Sequence, residues 1–250
     1  MFKSLTAALI ATAALVAGAP AVEKRAPAGV PGFDVSHYQG SINYQTQYNN
    51  GARWVYIKAT EGTTYTDSSF SANYNGATNA GLLRGAYHFA HPDSSSGATQ
   101  ANFFLAHGGG WSGDGKTLPG ALDIEYNPNG ATCYGLSQSA MVNWIADFSN
   151  TYHSKTGRYP TIYSTADWWN TCTGGSSAFS NTNALWIARY SSSVGTIPGG
   201  WPYYSFWQYA DSGSYPGDQG KFDNLPPSFC KWKIDVWNGS LSGLKAYASG

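Results

Sequence analysis

Three short segments of the 250-residue chain set an acid between large apolar residues: Phe33-Asp34-Val35, Leu122-Asp123-Ile124 and Ile234-Asp235-Val236. Along a β-strand, successive side chains point to opposite faces. If the apolar neighbours share one face, Asp34, Asp123 and Asp235 lie on the other. Glu125 stands two residues beyond Asp123 and so shares its face, with Cα atoms roughly 6.5–7 Å apart. Acids are rarely buried without a partner. Only Lys58, Arg189 and Arg84 read as cations that could face them. Four carboxyl groups with too few cations cannot all ionise, because burial and like charge raise the pKa of at least one. A protonated acid beside an ionised carboxylate is the pair that glycoside hydrolysis needs. Glu125 is the better proton donor, since its side chain is longer and its reference pKa slightly higher. A carboxylate beside it then stabilises the developing charge, activates water or orients a participating group on the sugar.

Other polar and aromatic residues fall at the same ends of the candidate strands. Glu61, Tyr87, Tyr163, Trp186, Gln208 and Tyr209 are the candidate substrate-binding residues. Tyr and Trp rings can lie on the apolar faces of sugars while their polar tips bond hydroxyls. His88 could serve as a base, but it reads more readily as a bonded structural histidine. The composition agrees with a neutral, polar ligand. Aromatic residues make up 16% of the chain and charged residues only 11%, with Lys+Arg 14 against Asp+Glu 14. That balance lacks the basic stripe of a nucleic-acid-binding protein. There is no Gly-x-Ser-x-Gly elbow, no phosphate loop and no His/Cys cluster with metal spacing, so no cofactor or metal is expected.

These residues must be carried by strands. Short aromatic and β-branched runs give eight: 32–37, 54–59, 84–90, 120–126, 159–164, 185–190, 204–209 and 233–237. Helical patterns occupy 67–80, 98–107 and 137–156. In the last of these, Met141, Trp144, Ile145, Phe148 and Tyr152 share a face, Ser137 is a plausible N-cap and Gly157 a stop. Strand–helix alternation implies a parallel sheet, and eight strands imply an irregular α/β barrel whose last third is poor in helix. Active sites of barrels gather at the C-terminal ends of the strands. The N-terminus reads as a leader: Lys3, the apolar run 5–16 and Ala17-Gly18-Ala19 form a signal peptide over 1–19. Residues 20–25 follow as a propeptide ending in Lys24-Arg25, leaving 26–250 as a single catalytic domain. No later apolar run could cross a membrane, so a secreted, extracellular protein is expected, with a monomer as the default. Cys133, Cys172 and Cys230 allow one disulfide and one thiol in three pairings. Asn238-Gly239-Ser240 is a glycosylation triplet, common by chance.

The ordered set GFDVSHYQG (32–40), IKATEG (57–62), RGAYHF (84–89), ALDIEY (121–126), TIYST (161–165), LWIARY (185–190), FWQYAD (206–211) and KIDVWNG (233–239) resembles glycoside hydrolase family 25, the Chalaropsis-type lysozymes. The resemblance implies cleavage of the β-1,4 bond from N-acetylmuramic acid to N-acetylglucosamine in peptidoglycan. It implies roles for Glu125 as acid, Asp123 as partner and Asp34 and Asp235 as supporting acids. It also implies a Cys133–Cys172 disulfide, as in fungal members, whose secretion route the dibasic pair resembles. Direct carboxylate attack, water attack and participation of the N-acetyl group stay open. A sugar-binding barrel without turnover and a chitin-cleaving enzyme are the rival readings.

Overall fold

The computed structural model describes residues 27–211 and 233–250. The leader, the dibasic pair and Cys230 lie outside the described residues. In chain order the elements are β1 (Val30–Val35), α1 (Tyr44–Asn49), β2 (Trp54–Glu61), β3 (Tyr65–Thr66), α2 (Phe70–Asn79), β4 (Leu83–Phe89), α3 (Gly97–Ala106) and β5 (Ala121–Asp123). They continue with α4 (Gln138–Thr156), β6 (Thr161–Thr165), α5 (Ala166–Thr173), β7 (Leu185–Ala188), β8 (Phe206–Ala210), β9 (Lys233–Trp237) and α6 (Leu241–Ser249). The sheet order is β1-β9-β8-β7-β6-β5-β4-β2-β3, and a β1–β2 pairing closes eight strands into a barrel. The short β3 hangs on the edge of β2.

One expectation needs correction. Seven barrel strands are mutually parallel, but β9 runs antiparallel to both of its neighbours. Side-chain alternation is blind to strand direction, so the sequence pattern reads the same either way. The reversal matters for the site, because it sends the start of β9, not its end, to the C-terminal ends of the other strands. Between β7 and β8 the described chain forms no helix, in keeping with the irregular last third.

Alternation along each strand divides the core. Ala121 faces the barrel interior with Trp54, Tyr56, Leu118, Trp186 and Phe206. Leu122 and Ile124 face α3 and α4, packing with Phe104, Met141, Ile145 and Phe148. Phe33, Val35, Ile57 and Ile234 form a third cluster on the outside. Helix α4 buries Met141, Trp144, Ile145, Phe148 and Tyr152 as its spacing requires. Its first turn is capped by Ser137, which accepts from the Ala140 amide, and it ends at Gly157 in the left-handed region, φ 74°. Burying a side chain the size of Ile145 or Phe148 stabilises the fold by about 2–3 kcal/mol.

The lower part of the barrel is filled by rings. Trp54 and Phe206 meet edge to face at 4.9 Å, and Tyr56 stacks on Trp186 at 4.9 Å. Room for them comes from glycine. A Cβ on Gly32 would lie 2.1 Å from the Trp54 indole, and one on Gly85 would lie 2.4 Å from the Tyr56 ring. Helix α6 seals this end with Leu244 and Ala248.

Candidate active site

Above the aromatic fill, the barrel interior turns polar. Asp34, Asp123 and Asp235 are buried and Glu125 is half-buried just past the end of β5. Their flanking apolar residues all face outward. The four acids therefore project into one hollow. Register aligns them: Asp34 pairs with Lys233 across β1 and β9, Asp235 with Gln208 across β9 and β8, and Asp123 with Tyr163 across β5 and β6.

Two carboxyl pairs form. Asp235 accepts from the Trp186 indole N–H at 2.7 Å and hydrogen-bonds to Asp34. Asp34 also accepts from the Gln208 amide at 2.6 Å. Burial, then the charge of Asp34, holds Asp235 far above the usual carboxylate range, so Asp235 keeps its proton. Burial raises Asp34 as well, while Lys233 and the bonds from Asp235 and Gln208 draw it back. In the second pair, burial and the neighbouring Glu125 push Asp123 well up. Burial also raises Glu125, opposed by Lys233 and by a hydrogen bond with Asp123. The two carboxyls titrate as a unit. The shared proton favours Asp123, the deeper of the two.

The cations are not those the sequence suggested. Lys58 faces inward but donates to Glu61 at 2.5 Å. Arg84 faces away, bonding Thr78 and Thr117, and Arg189 is exposed. Lys233 is the cation beside the acids: burial alone would lower its pKa, but Asp34, Asp123 and Glu125 outweigh that and raise it. A parallel last strand would place it at the opposite end of the barrel, and the reversal of β9 brings it to the acids. Lys233 acts on all four acids and Lys58 on Asp123 and Glu125, which is not neutralisation acid by acid.

The candidate binding residues divide. Glu61, at the rim, is gripped by Lys58 and lies 2.8 Å from His91 Nε2. Burial pushes its pKa up, but those bonds and charges prevail and hold it below the usual range. Tyr163 donates to Gln208 at 2.9 Å, and the side chain of Tyr87 reaches the edge of Trp186. Trp186 and Gln208 are fully enclosed beneath the acids, placed to hold Asp235 and Asp34. Tyr209 is not brought into the hollow. It packs with Trp207 among the outward clusters, because the strand alternation points it there. His88 faces α3, bonded to Thr60 and Gln100, and burial lowers its pKa to about 4. Cys133 and Cys172 form a disulfide.

The model of glycosyl hydrolases family 25 matches positions 33–218, a span that holds Asp34, Asp123 and Glu125. The chain belongs to that family. It is 56% identical to the N,O-diacetylmuramidase of Chalaropsis sp over 225 residues, 88% of this chain and 100% of that protein. The N,O-diacetylmuramidase of Arthroderma benhamiae is 49% identical over 98% of this chain and 97% of its own. Among solved structures, the family GH25 lysozyme from Aspergillus fumigatus superposes with a TM-score of 0.81 at 52% identity, covering 89% of this chain and 100% of that one. The muramidase from Trichobolus zukalii gives 0.80 at 57%, covering 88% and 99%. This family 25 chain is a glycoside hydrolase of the lysozyme type with the family's α/β barrel.

Sequence reasoning passed over several rim residues. Tyr38, Tyr126 and Tyr190 are exposed just past the ends of β1, β5 and β7. Tyr190 donates to Gln208 at 2.8 Å, and Tyr126 donates to Asp167 at 2.8 Å. Their signal was position, since each follows a barrel strand at its C-terminal end. Tyr134, next to the disulfide, has φ 57°, the one non-glycine positive φ among the described residues. Its buried hydroxyl has no partner among them.

Proposed function

We propose that the protein is a secreted N-acetylmuramidase that hydrolyses the β-1,4 bond between N-acetylmuramic acid and N-acetylglucosamine in bacterial peptidoglycan. The observation that carries this reading is the Asp123/Glu125 pair, enclosed in one hollow with Asp34 and Asp235 beside Lys233. The names of the relatives, muramidase and lysozyme, support the substrate.

Glu125 is the proton donor to the leaving oxygen, because it lies nearer the mouth of the hollow. Asp123 orients the acetamido group of the bound sugar. Its Oδ1 is buried with no partner among the described residues, ready to accept an amide N–H. Such a bond favours the ionised form of Asp123. The shared proton then moves to Glu125, so substrate binding itself arms the acid. The acetamido oxygen attacks the anomeric carbon as the leaving group departs, and water later opens that intermediate. Asp34 and Asp235, with their shared proton, keep the floor polar without adding a second full charge. Glu61, Tyr87 and Tyr163 line the sugar cleft. One chain supplies all four acids, so a monomer suffices.

Substituting Glu125→Gln keeps shape and removes the donor. Release of reducing ends from purified bacterial walls should fall about 10²–10⁴-fold. Wild-type release by that variant would sink the assignment, and faster release from chitin than from peptidoglycan would move the substrate. The leader and dibasic pair support secretion, and no helix among the described residues is long and apolar enough to cross a membrane. A mature N-terminus at Ala26 in culture medium checks the processing.

A further inference from the structure

The aromatic enrichment of the sequence is not used up by the active site and the core. At the end of the barrel opposite the acids lies a second cleft of about 450 Å³. It is bordered by residues that precede β7 and β8, by the end of the reversed β9 and by α6. Trp201, Tyr203, Trp237 and Tyr247 supply rings, and Asn181 and Asn238 supply amides. Its described lining holds no Asp, Glu, Lys or Arg.

Two features set this cleft apart from ordinary surface. Tyr203 at its edge is 62% exposed, among the most exposed large apolar residues described. Trp237 is the other. Eight further tryptophans are described, and each donates its indole N–H to a protein acceptor: Trp54, Trp111, Trp144, Trp168, Trp169, Trp186, Trp201 and Trp207. Trp237 alone among them has a buried indole nitrogen without a partner. Leaving a buried donor unmade costs about 1–3 kcal/mol, and Trp237 is itself part of the cleft wall.

We propose that this cleft is a second carbohydrate-binding site, taking an uncharged chain of β-linked N-acetylhexosamine units. The exposed Tyr203 ring offers a stacking face for pyranose, and side-chain amides bond hydroxyl and acetamido groups in both directions. An uncharged lining imposes no desolvation cost of ionic groups on a neutral sugar. A charged ligand would find no counter-ion there. The site stands at the far pole from the acids, so a glycan held here leaves the hollow open. It would retain the protein on an insoluble wall polymer between cleavages. Asn238 heads the Asn-Gly-Ser triplet and itself borders the cleft.

The test uses the full chain carrying Glu125→Gln, which stops turnover, made in a host that adds no N-linked sugar. N-acetylchitotetraose is titrated in by calorimetry. Binding should weaken roughly threefold to tenfold in Tyr203→Ala and recover in Tyr203→Phe, which keeps the ring. In the active chain, Tyr203→Ala should retain its rate on short soluble fragments and lose rate on whole walls. Superimposable isotherms with and without Tyr203→Ala would overturn the site, as would no binding at millimolar sugar. This proposal does not depend on which bond the hollow cleaves: wild-type wall digestion by Glu125→Gln would sink the proposed function and leave the Tyr203 result to be read separately.

Discussion

At the lower end of the barrel, the inward positions of the strands hold Trp54, Tyr56 and Phe206, and every polar atom among them is bonded. The Trp54 indole donates to Val30 O at 2.9 Å and the Tyr56 hydroxyl to Pro119 O at 2.9 Å. At the upper end, inward positions of β1, β5 and β9 present Asp34, Asp123 and Asp235, and Asp123 Oδ1 and Asp235 Oδ2 have no partner among the described residues. The first region is arranged for stability. The second holds carboxyl groups away from the protonation states they would have in water, which costs stability and is the mark of a reacting site. The two regions differ in what they contribute, although strand geometry treats their positions alike.

The sharpest way to break this contrast is to exchange the expected consequences. Trp54→Ala should cost about 3–5 kcal/mol in denaturant unfolding, because the neighbouring rings cannot close the space. The folded fraction should still digest walls. Asp123→Asn should do the reverse, with activity nearly lost and the melting temperature at pH 7 raised. The sign follows from linkage: a carboxyl whose folded pKa is raised contributes stability only at low pH and loses it as pH rises. A fall in melting temperature for Asp123→Asn would deny that the acids are held under strain.

His88 offers a smaller effect of opposite sign. It is fully buried, and its pKa is lowered to about 4 from an ordinary 6.5. The unfolded chain takes up this proton first. Stability is therefore full above about pH 6.5 and declines as pH falls toward 4, by on the order of 3 kcal/mol in all. An NMR titration of the His88 ring should show no protonation down to about pH 4. Protonation near 6.5 would mean the ring is not enclosed.

The smallest change concerns Lys233. In Lys233→Met the acids lose their shared cation, so their pKa values rise further. The acidic limb of the activity profile should move to higher pH, with little change in stability. An unmoved limb would show that Lys233 does not set the protonation of the hollow.

Much of this was legible in the residues themselves. The outward apolar flanks of Asp34, Asp123 and Asp235, the α4 face from Met141 to Tyr152 and the eight barrel strands all follow from side-chain period, a local property of the backbone. The short α1 was not foreseen, because its polar run Tyr44–Asn49 carries little apolar periodicity. Direction and register were beyond reach. Nothing in Lys233-Ile234-Asp235-Val236 says that β9 runs backwards, and only that reversal brings Lys233 to the acids. Likewise, Gln208 and Tyr209 are adjacent in sequence, yet one bonds Asp34 while the other packs outside.

By itself, then, the sequence determined which residues could be buried as acids, which faces had to be apolar and that the chain would close as a barrel. Tertiary structure alone decided which cation meets the acids, which carboxyls share a proton and which tryptophan keeps a free N–H. The physical reason is range. Periodicity is set by neighbours along the chain, whereas protonation and hydrogen bonding depend on distances between residues such as Asp34 and Gln208, which only the closed barrel brings within 2.6 Å.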